Sequence, residues 1–186
     1  MLAKMEEVRE QSSCGVGLVA ARRGMGSHAV VRSALHALRC VEHRGACGPD
    51  GVSSDGAGIM TEIPFALLDH EPGAAALATL FVTRDAARGQ RALDVLEQSF
   101  AFLGVGVMAY REVPHDLDVL GPAARQSCPR IIHATLRRPP ECRTNSSFDA
   151  RLYQAKQLTR TKLKTADAWM DLFFVSLSTS TVVYKA

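Results

Sequence analysis

The chain has 186 residues, a net charge of +3, and 47% apolar and 22% charged residues, which is the make-up of one globular domain, or part of one, long enough to bury a core. So small a charge excess gives no reason to expect a nucleic-acid partner, and no run approaches the roughly 20 apolar residues that a bilayer span needs. Glu6, Glu7 and Glu10 with no apolar stretch around them do not make a secretory signal, so the expectation is a cytoplasmic protein whose five cysteines stay reduced.

Residues 1–13 are mostly polar. Leu2, Met5 and Val8 could line one turn of a weak helix that ends at Gln11-Ser12-Ser13. They read either as a disordered tail or as a leader removed to expose Cys14. Residues 15–21 predict a strand buried on both faces, because Val16, Leu18 and Val19 break strict alternation. After a turn at 22–26, Ser27 suits an N-cap. Val31, Ala34, Leu35 and Leu38 then recur at helical spacing, which predicts a helix that buries one stripe and ends near Val41-Glu42-His43-Arg44-Gly45, with Gly45 suited to a C-terminal stop. A long glycine-rich loop follows over 45–58, the kind that carries function or moves.

From there the pattern predicts a strand over 59–63 stopped by Pro64, a short helix over 65–70 and a strand over 77–82. Asp85 can cap a long helix with Leu93, Leu96, Phe100 and Leu103 inward, ended by Gly104. A strand over 105–113, a short helix or turn over 122–126 and a strand over 131–136 come next. Ser146 and Asp149 resemble a capping box for a basic helix with Phe148, Leu152, Ala155 and Leu163 inward. Residues 172–177 and 181–184 predict a hairpin through Ser178-Thr179-Ser180. The alternation is too irregular for a doubly wound sheet, so the fold class is α+β, with helices on antiparallel sheets. Basic residues crowd between Arg137 and Lys164, where only Glu141 and Asp149 oppose them. That stretch is either a solvated helix face or an anion-binding or docking patch.

Cys14 is the candidate nucleophile. A thiol with a pKa of about 8.5 is mostly protonated at neutral pH and needs a base. Removal of 1–13 would give Cys14 a free α-amino group, with a pKa of about 7.7–8.0, able to accept the thiol proton. A cysteine beside a buried strand is also ordinary inert core. Gly15-Val16-Gly17-Leu18-Val19-Ala20 imitates a dinucleotide fingerprint, but a polar tail stands where a strand is required. Cys40, His43 and Cys47 have ligand-like spacing without a fourth partner, which a helix end with ordinary thiols explains, so no metal is expected. Arg44 and Asp55 stand out in the glycine-rich section, although a helix-end cation and a turn-forming acid are common. His28 and His36 fit a helix surface or packing role.

Three blocks bear on these alternatives: Cys14-Gly15-Val16-Gly17-Leu18-Val19-Ala20, Glu42-His43-Arg44-Gly45-Ala46-Cys47-Gly48 and Ser54-Asp55-Gly56-Ala57-Gly58-Ile59. In order and spacing they resemble the N-terminal class II glutamine amidotransferase domain of the glutamate synthase large chain. Residues 99–114 and 174–185 continue the likeness. The resemblance implies an N-terminal-nucleophile hydrolase fold, a four-layer αββα sandwich, incomplete here at its C-terminal side. Residues 1–13 would be the leader or propeptide and 14–186 the front part of the amidotransferase domain.

The resemblance also implies chemistry. Cys14, with its own α-amino group as base, would attack the side-chain amide of L-glutamine. Arg44 would support the nucleophile, and Asp55 and Gly56 would lie near the substrate. The ammonia released would aminate 2-oxoglutarate in the full-length enzyme, which uses FMN and an iron–sulfur cluster; neither cofactor is expected in this segment. Ser54 replaces a common glycine. Two later blocks of the family, His-Ser-Arg-Phe-Ser-Thr for the substrate carboxylate and Asn-Gly-Glu for the oxyanion hole, do not occur in the sequence. The chain alone is therefore expected to be nearly inactive, or a non-catalytic accessory remnant. Its expected partners are glutamine and the missing downstream amidotransferase and synthase domains, not nucleic acid or membrane.

Overall fold

The computed structural model describes residues 15–22, 24, 26–45, 51, 56–68 and 70–185. The chain divides into two units, Met1–Ala57 and Gly58–Ala186. In the first, helix α1 spans His28–Cys40 and a 3-10 turn follows at Glu42–Arg44. Ser27 holds the N-cap position with extended backbone, but its hydroxyl makes no capping bond. The helix ends at Cys40 with Val41 as its C-cap, at the start of the expected Val41–Gly45 stretch; Gly45 is extended, with φ −86° and ψ 152°, and closes the 3-10 turn rather than the helix.

Two expectations for this unit fail for one reason. Residues 15–21 form no strand, and Val16 and Leu18 are 90% and 91% exposed. The apolar stripe of α1 contains no buried residue. A strand is half of a ladder, and a stripe needs a facing surface. The described residues of this unit include no strand and no second α-helix to supply either.

The second unit contains β1 (Gly58–Glu62), a 3-10 turn (Phe65–Leu68), β2 (Ala75–Val82), α2 (Ala86–Phe102), β3 (Gly106–Glu112), α3 (Pro122–Ser127), β4 (Arg130–Arg137), α4 (Asn145–Thr165), β5 (Leu172–Ser178) and β6 (Thr181–Lys185). Local chemistry sets most boundaries. The Asp85 carboxylate accepts from the Arg88 N–H at 2.9 Å and starts α2. Gly104, at φ +75°, turns the chain out of that helix. The capping box of α4 is formed by Thr144 and Ser147, not by Ser146 and Asp149. Asp149 is engaged elsewhere: its two oxygens accept from the N–H and the hydroxyl of Thr179, each at 3.0 Å.

Four strands form an antiparallel sheet in the order β3-β4-β2-β5, and β1 pairs with β6 in a second, two-stranded sheet. The expected hairpin is therefore absent: β5 and β6 are consecutive but belong to different sheets. The bonds that would close a hairpin go to side chains. The Ser178 hydroxyl accepts from the N–H groups of Ser180 and Thr181, the Ser176 hydroxyl accepts from Val183 N–H, and Asp149 takes Thr179.

One face of the large sheet packs Ala76, Ala78, Leu80, Val82, Ile132, Ala134 and Leu136 against Leu96 and Phe100 of α2 and Phe148 and Leu152 of α4. Alternation sends Leu77 to the other face. There it meets Ile63 and Val182 beside the small sheet, and the His133 ring lies 6.0 Å from that of Tyr184. Helices, sheet and second sheet stack in that order, which is the expected α+β class with antiparallel sheets.

His133 is 3% exposed, and neither ring nitrogen has a hydrogen-bond partner among the described residues. Burial, with the Arg111 charge adding to it, holds its pKa below the ordinary 6.5. The folded chain therefore keeps this ring neutral where the unfolded chain takes a proton. Its contribution is present above the unfolded value and lost as pH falls below it. Thermal unfolding midpoints measured from pH 7.5 to 5 should fall with acidification, and less steeply in His133→Leu; parallel slopes would refute this assignment.

Candidate functional site

The segment after Cys14 reaches the end of α1 because residue 15 is a glycine. A Cβ at Gly15 would sit 3.0 Å from Cβ of Val41, closer than side chains normally pack. Val41 is the C-cap of α1 and leads into the Glu42–Arg44 turn. That turn is fixed locally: Gly45 N–H donates to the Glu42 carbonyl at 3.0 Å, and His43 Nδ1–H donates to the Cys40 carbonyl at 3.1 Å. The backbone beside Cys14 and the turn that carries Arg44 are thus brought together. Cys14 itself, the Arg44 side chain and Asp55 lie outside the described residues.

Gly56 is described and exposed, with φ +83°, a conformation that favours glycine. Gly58 is fixed by a different constraint. A Cβ there would lie 2.7 Å from the carbonyl oxygen of Tyr184, the residue beside its ladder partner Lys185 on β6. The last glycine of the Asp55-Gly56-Ala57-Gly58 run thus lets two backbones meet where the loop becomes β1.

Of the ligand-like trio, Cys47 lies outside the described residues, and Cys40 Sγ lies 3.8 Å from Nε2 of His36. Among the described residues no three His, Cys, Asp or Glu side chains are grouped to hold a metal ion. Cys40 is exposed, Cys128 half-buried and Cys142 buried, all as free thiols. No helix among the described residues is long and apolar enough to cross a membrane.

The structure also assembles a feature that the sequence reading missed. A cavity of about 250 Å³ is lined by Leu67, Leu68, Leu77, Arg111, His133 and Tyr184, among others. Arg111 and His133 are cross-strand partners on β3 and β4, and His133 faces Thr79 on β2. Only the strand register places these residues in one row, so no local signal in the sequence could have found them.

An α+β unit preceded by a cysteine-led, glycine-spaced segment narrows the class. Residues 14–186 match the glutamine amidotransferases class-II, and the chain belongs to that family. Within it the chain is similar to glutamate synthases. It is 33% identical over 195 residues to ferredoxin-dependent glutamate synthase 1, chloroplastic/mitochondrial, of Arabidopsis thaliana. It is 35% identical over 191 residues to the chloroplastic ferredoxin-dependent glutamate synthase of Oryza sativa subsp. japonica, and 30% over 190 residues to the NADH glutamate synthase of Schizosaccharomyces pombe. These alignments cover 99%, 97% and 95% of this chain but 12%, 12% and 9% of the respective relatives.

The Gly58 contact yields a direct test. Gly58→Ala should force β1 away from β6 and lower stability by about 1–3 kcal/mol, measured by denaturant unfolding. The control Gly17→Ala, where an added Cβ meets nothing within 4 Å, should stay within about 0.5 kcal/mol of the parent.

Proposed function

We propose that this chain is the front part of a glutaminase domain that works within a glutamate synthase, with Cys14 as nucleophile and 1–13 as a removable leader. The observation that carries this reading is that the family match begins at residue 14, the cysteine itself. Gly15 supports it, since its closeness to Val41 sets the residue after Cys14 beside the Arg44 turn. The proposed architecture is the αββα sandwich of N-terminal-nucleophile hydrolases, of which Gly58–Ala186 supplies one helical layer and strands of both sheets.

The chemistry follows from a thiol next to a free amine. The α-amino group of Cys14 takes the thiol proton, and the sulfur attacks the side-chain carbonyl carbon of glutamine. The tetrahedral intermediate collapses, the C–N bond breaks, and the proton held by the amine leaves with the nitrogen as ammonia. Water, deprotonated by the same amine, attacks the thioester carbon and releases glutamate, and the thiol is restored. Arg44 supports the nucleophile, and Asp55 with Gly56 borders the substrate. Ammonia then serves glutamate formation from 2-oxoglutarate in other parts of the synthase, where FMN and an iron–sulfur cluster would act.

A second reading, a non-catalytic form of the domain, is favoured by one observation. Val16 and Leu18 stand exposed beside the nucleophile's position, so these two apolar side chains are uncovered among the described residues although Gly15 lies against Val41.

Two measurements decide between the readings. Intact-mass analysis of the expressed chain should show loss of residues 1–13, and Cys14→Ala should retain them. Glutaminase turnover of the 186 residues alone should be slow. It should rise at least about a hundredfold when the downstream amidotransferase segment of a glutamate synthase is added, and vanish in Cys14→Ala. No rise on addition, with the leader retained, would establish the non-catalytic form.

A further inference from the structure

Val41 lies just before the Glu42–Gly48 block and belongs to none of the three blocks that carry Cys14, Arg44 and Asp55. It is nevertheless the residue on which Gly15 rests. A Cβ at residue 15 would meet all three carbons of the Val41 side chain: Cβ at 3.0 Å, Cγ2 at 3.3 Å and Cγ1 at 3.5 Å. The isopropyl group therefore covers the α-carbon of Gly15 on the face where a side chain would stand. Two residues further on the constraint is gone, since an added Cβ at Gly17 meets nothing within 4 Å. The contact is specific to residue 15, one peptide bond from Cys14.

Val41 is a firm support. Its N–H donates to the Leu38 carbonyl at 3.2 Å, in the last turn of α1. Its backbone, at φ −101° and ψ 8°, is at once the C-cap of α1 and the N-cap of the Glu42–Arg44 turn. A β-branched side chain has little freedom at χ1, so the isopropyl group yields little to a neighbour. Apolar carbons pack at about 3.5–4.0 Å, so a side chain at residue 15 would push the two backbones apart by roughly half an ångström to an ångström. Misplacing a reacting group by about 1 Å can cost about a hundredfold in rate.

We propose that Val41 is a positioning residue for the nucleophile: it acts through Gly15 to fix the backbone that carries Cys14 relative to the turn that carries Arg44. The assignment rests on Cys14 as the nucleophile of the proposed glutaminase. Once a leader is removed, an N-terminal cysteine has no preceding residue, and its covalent hold on the protein is the residue that follows. That residue is a glycine, which has no side chain with which to anchor itself. The anchoring surface is therefore supplied from outside, by Val41. A hydrocarbon side chain moves no proton and binds no amide, so its part is to set a distance.

Exchanging the two side chains tests this on the full chain. Gly15→Ala forces a methyl against Val41, and Val41→Gly removes the support. Gly15→Ala/Val41→Gly restores a carbon to the contact from the opposite side. Alkylation of Cys14 by iodoacetamide, followed by peptide mass mapping from pH 6 to 9, should give a rate profile that shifts in both single variants. The profile should return toward the parent in the double variant, with Cys128 unchanged throughout. Glutaminase turnover with the downstream amidotransferase segment added should lose about ten- to a hundredfold in kcat in each single variant, with KM within about threefold. It should recover in the double variant and stay at the parent level in Gly17→Ala. Parent-like Cys14 profiles in both single variants, or a double variant that shows the sum of the two single effects, overturns the assignment to Val41. A parent chain without turnover whose Cys14 profiles obey the exchange refutes the glutaminase and upholds the support by Val41.

Discussion

Strand β2 is covered on both faces and paired on both edges, and the second unit is arranged around that fact. Its neighbours are β4 and β5, its helix-side residues pack against α2 and α4, and Leu77 packs on the opposite side against Ile63 and Val182. A slip of one residue would exchange Leu80 with Thr79 and Leu77 with Ala78, turning small and polar groups into the cores and large apolar groups out of them. The register is thereby held on two sides at once. The small side chains Ala76 and Ala78 accompany close approach of the helices, while the bulk of the core comes from Leu96, Phe100, Phe148 and Leu152.

Where the chain leaves this sheet is decided by a carboxylate. Asp149, near the start of α4, accepts two hydrogen bonds from Thr179, which is 2% exposed at the turn after β5. Hydrogen bonds to a charged group contribute about 1.5–3 kcal/mol each, enough to compete with a hairpin that has no strong turn residue. With Thr179 held to α4, β6 emerges toward the second sheet and pairs with β1. One side chain therefore couples the helical layer to the position of the second sheet. Gly58 completes the pairing from the other strand by letting β1 approach the Tyr184 carbonyl.

What was legible in the sequence was local. Asp85 as a cap, Gly104 as a stop and the inward stripe of α4 depend on neighbours a few residues away, and the structure has them. Capping by Thr144 and Ser147 escaped because two hydroxyls a turn apart carry a weaker pattern than a hydroxyl and an acid, while Asp149 is drawn off by a residue thirty positions later. Partnership between strands was not legible. Residues 15–21 have strand composition, yet composition cannot say whether a second strand is present to pair with them. The candidate site shows the same division. Cys14, Arg44 and Asp55 emerged from blocks of sequence, whereas the reasons for Gly15 and Gly58 are contacts with Val41 and Tyr184 that only three dimensions reveal.

The two edges of the large sheet are protected in different ways. On β3 one charge is matched: Glu112 lies 3.3 Å from Arg130 of the adjacent strand, and that guanidinium lowers the glutamate's pKa. At β5 the charge belongs to the neighbouring helix α4, where Lys156, Arg160 and Lys164 have no ion-pair partner among the described residues. A second copy of the same edge would bring Lys156, Arg160 and Lys164 against themselves, so self-pairing is opposed by like charge.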